Sequence, residues 1–242
     1  MSLAKEFAVR YAGLRQAYGT FTANNETRED GKASGKNITI SKELSDSDLL
    51  KLWEDHLSGH QSVGIVAIDE HNKCVWGAID VDEYQLDLKD LAIKIAKQEL
   101  PLVLCRSKSG GAHIYIFLTE PVSASMLQRK LRQIAAAIGY GQVEIFPKQT
   151  KLLLDRGDRG STLNMPYFGG ENSTRYAYDK KGAAMTPEEF LNYAKEIELT
   201  PNELEKLEAS PLNETMDWLD QAPPCIQHLV AQDFPKCSRN SG

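Results

Sequence analysis

The sequence predicts a mixed α/β (α+β) fold in which short buried strands alternate with amphipathic helices. Residues 63–68, 73–82, 101–106 and 112–118 are apolar runs of strand length, rich in Val and Ile. Residues 86–100 separate the two pairs of runs and carry their apolar residues at helical spacing. A chain of 242 residues is long enough for one large domain of this class with an appendage.

The composition is that of an ordinary globular chain and argues against several classes of protein. No apolar run approaches the roughly 20 residues that span a bilayer, and the N-terminus lacks the apolar core of a signal peptide, so we expect a cytoplasmic protein. The net charge of −6 argues against a surface that is basic overall but not against a local groove for nucleic acid. The four cysteines form no Cys-x-x-Cys pair, so no disulfide framework is predicted.

The N-terminal part is predicted to contain two helices separated by a loop. Apolar residues recur at helical spacing over residues 3–16 and again over residues 44–57, where Ser45 and Asp46 are candidate caps. Residues 22–37 are polar and contain glycine, which predicts a flexible loop.

The centre of the chain is predicted to begin with a β-hairpin. Its strands are residues 63–68 and 73–82, and a polar turn joins them. The remaining predicted elements follow in order: a helix at 86–100, strands at 101–106 and 112–118, a helix at 126–138, strands at 142–146, 162–168 and 175–178, and an acidic helical segment at 187–221.

Asp80 and Asp82 stand two positions apart at the end of a buried strand. Side chains at i and i+2 of a strand point to the same face, and two carboxylates on one face repel unless a cation lies between them. Hard divalent cations take oxygen ligands, often carboxylates together with substrate phosphates. The pair is therefore a candidate metal–phosphate site, although many such pairs are solvated strand ends or helix caps.

A glycine-rich turn, residues 107–113, joins the next two strands. Paired glycines let a backbone approach a ligand closely, and successive N–H groups in such a turn bind anions. Ser107 and Ser109 add hydroxyl donors, Lys108 adds a cation, and His113 begins the following strand. A plain hairpin and a structural histidine are the alternative interpretations.

Glu144 lies between apolar neighbours in the predicted strand 142–146. A carboxylate buried in such a setting needs a basic partner or a metal ion. Lys148, four residues downstream, is a candidate cation for neutralising a triphosphate.

Taken in order, these three elements resemble the motifs of the archaeo-eukaryotic primase (AEP) superfamily. The matching segments are Ile79-Asp80-Val81-Asp82, Ser109-Gly-Gly-Ala-His113 and Val143-Glu144. The surrounding residues look like the primase-polymerases of phages, CRISPR loci and related conflict systems, and the likeness covers about residues 1–180. The family more often has Asp at the third position. The fold that the resemblance implies is an α/β unit packed on an RRM-like sheet.

The resemblance also implies a function, cofactors and site residues. The expected activity is DNA-dependent nucleotidyl transfer, in which primers are made or extended on single-stranded DNA from NTPs or dNTPs. Two Mg²⁺ or Mn²⁺ ions are expected on Asp80, Asp82 and Glu144. The residues implied for nucleotide binding are Ser107, Lys108, Ser109, Gly110, His113, Lys148 and Asn164, the last within a stretch similar to the family's Asn-Leu-Pro.

Residues 181–242 are predicted to be a helical segment leading into a further C-terminal module. Residues 222–242 resemble the opening of such a module, so we expect the sequence to be part of a longer protein. No zinc is predicted in it, although Cys225, His228 and Cys237 form a possible set of ligands.

Three other functions are alternatives to this one. A replication-initiator nuclease needs a His-apolar-His pair, whereas this chain has His113-Ile-Tyr115. A restriction-type nuclease needs an acid-x-Lys pair, whereas Glu144 is followed by Ile-Phe-Pro before Lys148. A non-catalytic nucleotide-binding or single-stranded nucleic-acid-binding module stays open as the serious alternative. Tyr84, Tyr115 and Tyr167 are further candidates for stacking on bases.

Overall fold

The computed structural model describes residues 1–27, 33–83 and 85–209. Its helices are α1 (Leu3–Arg10), α2 (Asp46–Leu57), α3 (Leu88–Lys97), α4 (Ala124–Ala137), α5 (Pro187–Glu196) and α6 (Pro201–Lys206). Its strands are β1 (Ala17–Thr27), β2 (Ala33–Ser41), β3 (Val63–Val66), β4 (Lys73–Val81), β5 (Val103–Arg106), β6 (Ala112–Ser123), β7 (Glu144–Phe146) and β8 (Thr162–Asn164). The predicted α/β class is confirmed.

The strands form two antiparallel sheets. The first sheet has the order β2-β1-β3-β8 and the second sheet has the order β5-β6-β4-β7. Along the chain the second sheet is built as β4-α3-β5-β6-α4-β7, which is the βαββαβ arrangement of RRM-like and ferredoxin-like sheets. Strand β4 therefore lies in its interior, between β6 and β7.

The two faces of the second sheet pack against different partners because side chains alternate along each strand. One face is covered by α3 and α4, and its core includes Ile79, Ile114, Ile116, Leu91 and Leu131. The opposite face, which we call the inner face, packs against α1 and strands β3 and β8, and its core includes Trp76, Tyr115, Phe117, Ile65 and Leu163. Asp80 belongs to the inner face, since it lies two and four positions from Ala78 and Trp76.

The segment predicted as a flexible loop, residues 22–37, is instead largely a β-hairpin. Strands β1 and β2 pair with each other, and the pairing begins with Ala17 opposite Ser41 and ends with Thr27 opposite Ala33. Residues 28–32 lie outside the described part. Only Gly19 and Thr20 of β1 pair with the next strand, β3. The outer part of the hairpin is thus joined by backbone hydrogen bonds. Because its residues are mostly polar, the sequence there lacks the alternation of apolar and polar residues by which a strand is predicted.

The predicted hairpin of residues 63–68 and 73–82 is also wrong. Strand β3 pairs with β1 and β8 in the first sheet, whereas β4 pairs with β6 and β7 in the second. The turn at Asp69–Asn72 has hairpin chemistry, and Asn72 has a φ of +60°. The chain nevertheless crosses between the sheets there, because both edges of β4 are taken by strands that come later in the sequence.

Helix α1 ends at Arg10, six residues before the predicted end. The backbone turns away so that Leu14 N–H donates to the carbonyl of Val66 at 3.0 Å, and a Cβ on Gly13 would lie 2.0 Å from that oxygen. Tyr11 and Leu14 are buried through tertiary contacts, and their helical spacing was coincidental.

The C-terminal helices pack on the same cores. Phe190 of α5 is fully buried beside Phe7 and Phe117, and Leu204 of α6 is buried in the core under α3 and α4. The predicted domain boundary at residue 180 stays a prediction, and Cys225, His228 and Cys237 lie outside the described residues. Within the described part of the chain, no helix combines the length and the apolar character needed to cross a membrane.

His56 is a buried histidine that joins the end of α2 to the start of β3 and to the segment that follows β8. Its Nδ1 accepts from Val63 N–H at 3.0 Å, which leaves Nε2–H to donate to the carbonyl of Pro166 at 2.7 Å. Burial lowers the pKa of His56 to about 4, so the ring is neutral in the folded protein at pH 7.

This burial predicts that folding stability falls in mild acid. Because the ordinary pKa of histidine is near 6.5, the unfolded chain binds a proton between about pH 6.5 and pH 4 that the folded chain excludes. We expect this residue to reduce the free energy of unfolding by about 2 kcal/mol between pH 7.5 and pH 5. Urea titrations of the wild type and of His56→Gln at both pH values measure it.

The control for this prediction is His71→Gln, which removes an exposed imidazole. The variant His56→Gln is expected to show a flatter pH dependence than both the wild type and His71→Gln. Equal pH dependence in all three proteins would contradict the assignment.

Candidate active site

The Asp-x-Asp pair stands at the end of the central strand of the second sheet. Strand β4 ends at Val81, with Asp80 inside it and Asp82 directly beyond it. Asp80 lies opposite His113 of β6 on one side and opposite Glu144 of β7 on the other. Directly opposed residues of antiparallel strands point to the same face, so two separate neighbours place their side chains beside this carboxylate.

Asp80 carries a buried oxygen that lacks a hydrogen bond from any described residue. Its side chain is 12% exposed, and the nearest basic atom to Oδ1 is Nε2 of His113 at 3.4 Å. A carboxylate oxygen removed from water without a donor is costly, and a cation bound at this position offsets that cost. The residue is therefore suited to hold a metal ion, and Asp82, on the same face and exposed, is suited to share it.

The glycine turn lies directly against the end of β4. Ser107 N–H donates to the carbonyl of Gly111 at 2.8 Å, and Gly110 adopts a φ of +103°. A Cβ on Gly111 would lie 2.1 Å from the carbonyl oxygen of Val81, so only glycine permits this approach. The predicted turn thus stands beside the predicted acid pair.

The serines of the turn connect it to the acid pair. The hydroxyls of Ser107 and Ser109 are 3.1 Å apart, and Ser109 donates to Oδ1 of Asp82 at 3.4 Å. Lys108 points elsewhere, since its Nζ lies 3.0 Å from the ring centroid of Phe21 in β1. Its predicted contact with a nucleotide stays a prediction.

His113 is oriented by a buried tyrosine on its own strand. Its Nδ1 lies 3.2 Å from the hydroxyl of Tyr115, while Nε2 faces Asp80. Tyr115 is fully buried, and this burial raises the pKa of its phenol, so the hydroxyl remains protonated. The ring of His113 is therefore held with Nε2 toward the acid pair.

Glu144 is placed beside Asp80 by its backbone, but its carboxylate is engaged elsewhere. Its side chain is 57% exposed, and Oε2 lies 2.5 Å from Nζ of Lys148. Over residues 1–27, 33–83 and 85–209, no three His, Cys, Asp or Glu side chains are grouped so as to hold a metal ion. The three-carboxylate site remains a prediction, and it requires Glu144 to leave Lys148.

The other predicted residues lie farther from this centre. Asn164 is half-buried on β8 of the first sheet, where it pairs with Gly64. Tyr115 and Tyr167 are buried in the core, so the prediction that they stack on bases is wrong. They were misjudged because an aromatic residue on a strand has the same pattern whether it faces a core or a groove. Tyr84 lies outside the described residues.

Two buried basic side chains were missed by sequence reasoning. His56 lies on α2, and Arg175 lies on a segment that pairs with β5 of the second sheet. The sequence contains only a weak signal for Arg175, which begins the short run 175–178 predicted as a strand. The sequence does not indicate which strand this run pairs with.

Replacing Gly111 tests the close approach of the turn. We expect Gly111→Ala to lower the free energy of unfolding by at least about 2 kcal/mol, because the added methyl group cannot fit against the backbone of Val81. Gly141→Ala is the control, since its Cβ would meet Ala136 at an ordinary 3.5 Å. Thermal or urea unfolding measures both, and equal stability of the two variants would refute the geometry.

Comparison with known proteins identifies the family of this chain. No curated protein matches the chain. The family model described as the archaeo-eukaryotic primase domain of the TOTE conflict system matches residues 5–197. The match includes the acid pair, the glycine turn, Glu144 and Arg175, and the chain therefore belongs to the archaeo-eukaryotic primase domain family of TOTE conflict systems.

Proposed function

We propose that this domain is a DNA-dependent nucleotidyltransferase, a primase-polymerase that makes or extends primers on single-stranded DNA from NTPs or dNTPs. Its family supports nucleotidyl transfer with nucleotide and nucleic-acid substrates. The observation that carries the proposal is the unsatisfied buried oxygen of Asp80, set between His113 and Glu144 and beside the glycine turn. We expect the reaction in the cytoplasm of a bacterial or phage-infected cell.

Asp80, Asp82 and Glu144 are the residues that would hold Mg²⁺ or Mn²⁺. When bound, a pair of such ions favours attack by the primer's 3′-hydroxyl on the α-phosphate and stabilises the departing pyrophosphate. Asp80 contributes an oxygen that has no competing donor among the described residues. Glu144 would bind the metal after leaving its ion pair with Lys148. The ammonium group of Lys148 would then be free to interact with the phosphates.

The glycine turn and His113 are suited to bind the triphosphate. The hydroxyls of Ser107 and Ser109 and the N–H groups of the turn, Gly110 included, are donors for phosphate oxygens. Nε2 of His113 is the donor closest to Asp80, so it would orient a phosphate that bridges the turn and the acid pair. Lys108 adds positive charge at the turn, and Asn164 would contact the nucleotide from the first sheet.

The transfer itself is an in-line displacement. A bond forms between the 3′-oxygen and the α-phosphorus, the bond from that phosphorus to the bridging oxygen of pyrophosphate breaks, and the hydroxyl proton passes to solvent. The chain's role is to place the two reacting groups and to exclude other orientations.

A non-catalytic nucleotide-binding or single-strand-binding module is the second candidate. The pairing of Glu144 with Lys148 favours it, because binding alone needs no third carboxylate. The two candidates differ in whether Asp80 is needed for nucleotide incorporation.

Replacing Asp80 tests the proposed activity. We expect Asp80→Asn to reduce nucleotide incorporation on single-stranded DNA, with or without a primer, by at least about a hundredfold, because it removes a metal ligand. The control is Glu70→Gln, which neutralises an exposed carboxylate in the turn before β4, at the opposite end of that strand. Labelled nucleotides with Mn²⁺ or Mg²⁺ give the rates.

Folding must be measured on the same variants. Because Oδ1 of Asp80 has no hydrogen-bond donor among the described residues, Asp80→Asn is expected to leave the melting temperature in EDTA unchanged or to raise it. Wild-type incorporation by a folded Asp80→Asn protein would exclude the enzymatic proposal in favour of the binding module.

Replacing His113 separates nucleotide binding from template binding. We expect His113→Ala to weaken nucleotide binding about tenfold, through loss of a phosphate donor, and to leave single-stranded DNA binding nearly unchanged. Separate titrations with a nucleoside triphosphate and with a DNA oligomer measure the two affinities, and His71→Ala is the matched control. A larger loss for DNA than for nucleotide would show that His113 serves the template.

A further inference from the structure

Arg175 is a buried arginine without an acidic partner in the described part of the chain. The residue is 8% exposed, and its Nη1 is fully buried with no hydrogen-bond acceptor there. The ring of Phe168 lies 5.0 Å from its Cζ. Isolated buried charges are costly, so an arginine in this state is expected to have an anionic partner that comes from outside the fold.

The register of the backbone places Arg175 beside the glycine turn. Arg106 N–H donates to the carbonyl of Tyr176 at 2.9 Å, and Cys105 forms an antiparallel bridge with Ala177. Two positions toward the turn, Arg175 therefore lies opposite Ser107. It belongs to the inner face, the face of Cys105 and Ala177.

The same register extends across the sheet to the acid pair. Ser107 lies opposite Gly111, and Gly111 lies opposite Asp82, one step beyond the pairing of Val81 with Ala112. Arg175, Ser107, Gly111 and Asp82 thus form a row on the inner face, directly above the row of His113, Asp80 and Glu144. Neighbouring strands are about 4.8 Å apart, so the row spans about 14 Å between its ends.

The guanidinium is charged and electrostatically coupled to the site. Burial lowers the pKa of Arg175 to about 10, so it remains a cation at pH 7. Tyr115, whose hydroxyl lies 3.2 Å from Nδ1 of His113, is the neighbour that partly offsets this lowering of the pKa of Arg175. The arginine and the histidine therefore share one buried tyrosine as a neighbour.

We propose that Arg175 is a phosphate-binding residue that receives the end of the nucleotide's triphosphate farthest from the acid pair. This inference rests on the proposed nucleotidyl-transfer function and extends its site by one residue. A triphosphate that begins near Asp82 and crosses Ser107 and Gly111 runs along the row toward this guanidinium. Phosphate is also the anion that the planar fork of arginine binds best.

A template strand also carries phosphates, but the burial of Arg175 favours the nucleotide. A polynucleotide backbone needs an open groove, whereas Arg175 is only 8% exposed. The terminal phosphates of a single nucleotide reach such a recess more readily than the interior of a strand does.

The test is the binding of inorganic tripolyphosphate in EDTA, which needs neither metal nor catalysis. Arg175→Met keeps the length of the side chain and removes its charge, and we expect it to weaken tripolyphosphate binding at least about tenfold. Arg129→Met, which removes an exposed arginine of α4 on the other side of the sheet, is the matched control and is expected to bind within about twofold of the wild type.

Melting temperature and DNA binding distinguish this role from a structural one. Because the buried charge has no acidic partner among the described residues, Arg175→Met is expected to melt at the same or a higher temperature without ligand, while losing the increase that tripolyphosphate produces in the wild type. Binding of an oligo-dT strand is expected to change less than about twofold. If Arg175→Met does not fold, Arg175→Lys is the variant to test. We expect it to lower the affinity for tripolyphosphate at least about threefold, because lysine lacks the planar fork of the guanidinium.

Four results would overturn the inference. The first is that the wild type does not bind tripolyphosphate, and the second is that a folded Arg175→Met binds it with unchanged affinity. The third is unchanged affinity in Arg175→Lys where the Met variant does not fold, and the fourth is that the Arg175 variant loses oligo-dT binding but keeps tripolyphosphate binding. The proposed function fails separately. A wild type that binds tripolyphosphate through Arg175 but incorporates no nucleotide supports this inference and refutes the catalytic one.

Discussion

The pairing of β4 with β6 and β7 is the constraint on which the rest of the site depends. It sets Asp80 opposite both His113 and Glu144, although these residues are far apart in the sequence. A shift of β4 by one residue would turn Asp80 toward α3 and α4 and away from His113 and Glu144. Trp76 and Ala78 pack in the core of the inner face, whereas Ile79 and Val81 pack in the core under α3 and α4. The packing that stabilises the fold therefore also sets Asp80 beside the histidine and the second acid.

Close backbone approach supplies the second requirement of the site. The glycine turn could be a simple connection between two strands, but Gly111 lies against the carbonyl of Val81 and the serine hydroxyls reach Asp82 through Ser109. The groups proposed to bind phosphate and the groups proposed to bind metal are thus adjacent. A metal-bound triphosphate has both kinds of charge, which is the chemistry that this adjacency suits.

Two side chains of the inner face each have one buried atom without a hydrogen-bond partner among the described residues, Oδ1 of Asp80 and Nη1 of Arg175. Glu144 is ion-paired with an exposed lysine, Lys148. Residues selected only for stability would rarely leave such atoms of two opposite charges buried without a hydrogen bond on one face. Their positions along two adjacent rows suggest a ligand with anionic groups at one end and bound cations at the other.

The sequence alone determined the class of the fold, the strand-end acid pair, the glycine turn and most helix positions, because each depends on local spacing: α2, for example, begins at the predicted cap Ser45. It did not determine that β1 and β2 are strands, that β3 and β4 lie in different sheets, or that Arg175 lies opposite Ser107. Those features follow from pairing between distant segments, which local patterns do not encode. The same reason explains why Tyr115 and Tyr167 were misjudged, since only the tertiary structure decides whether one face of a strand meets a core or a ligand.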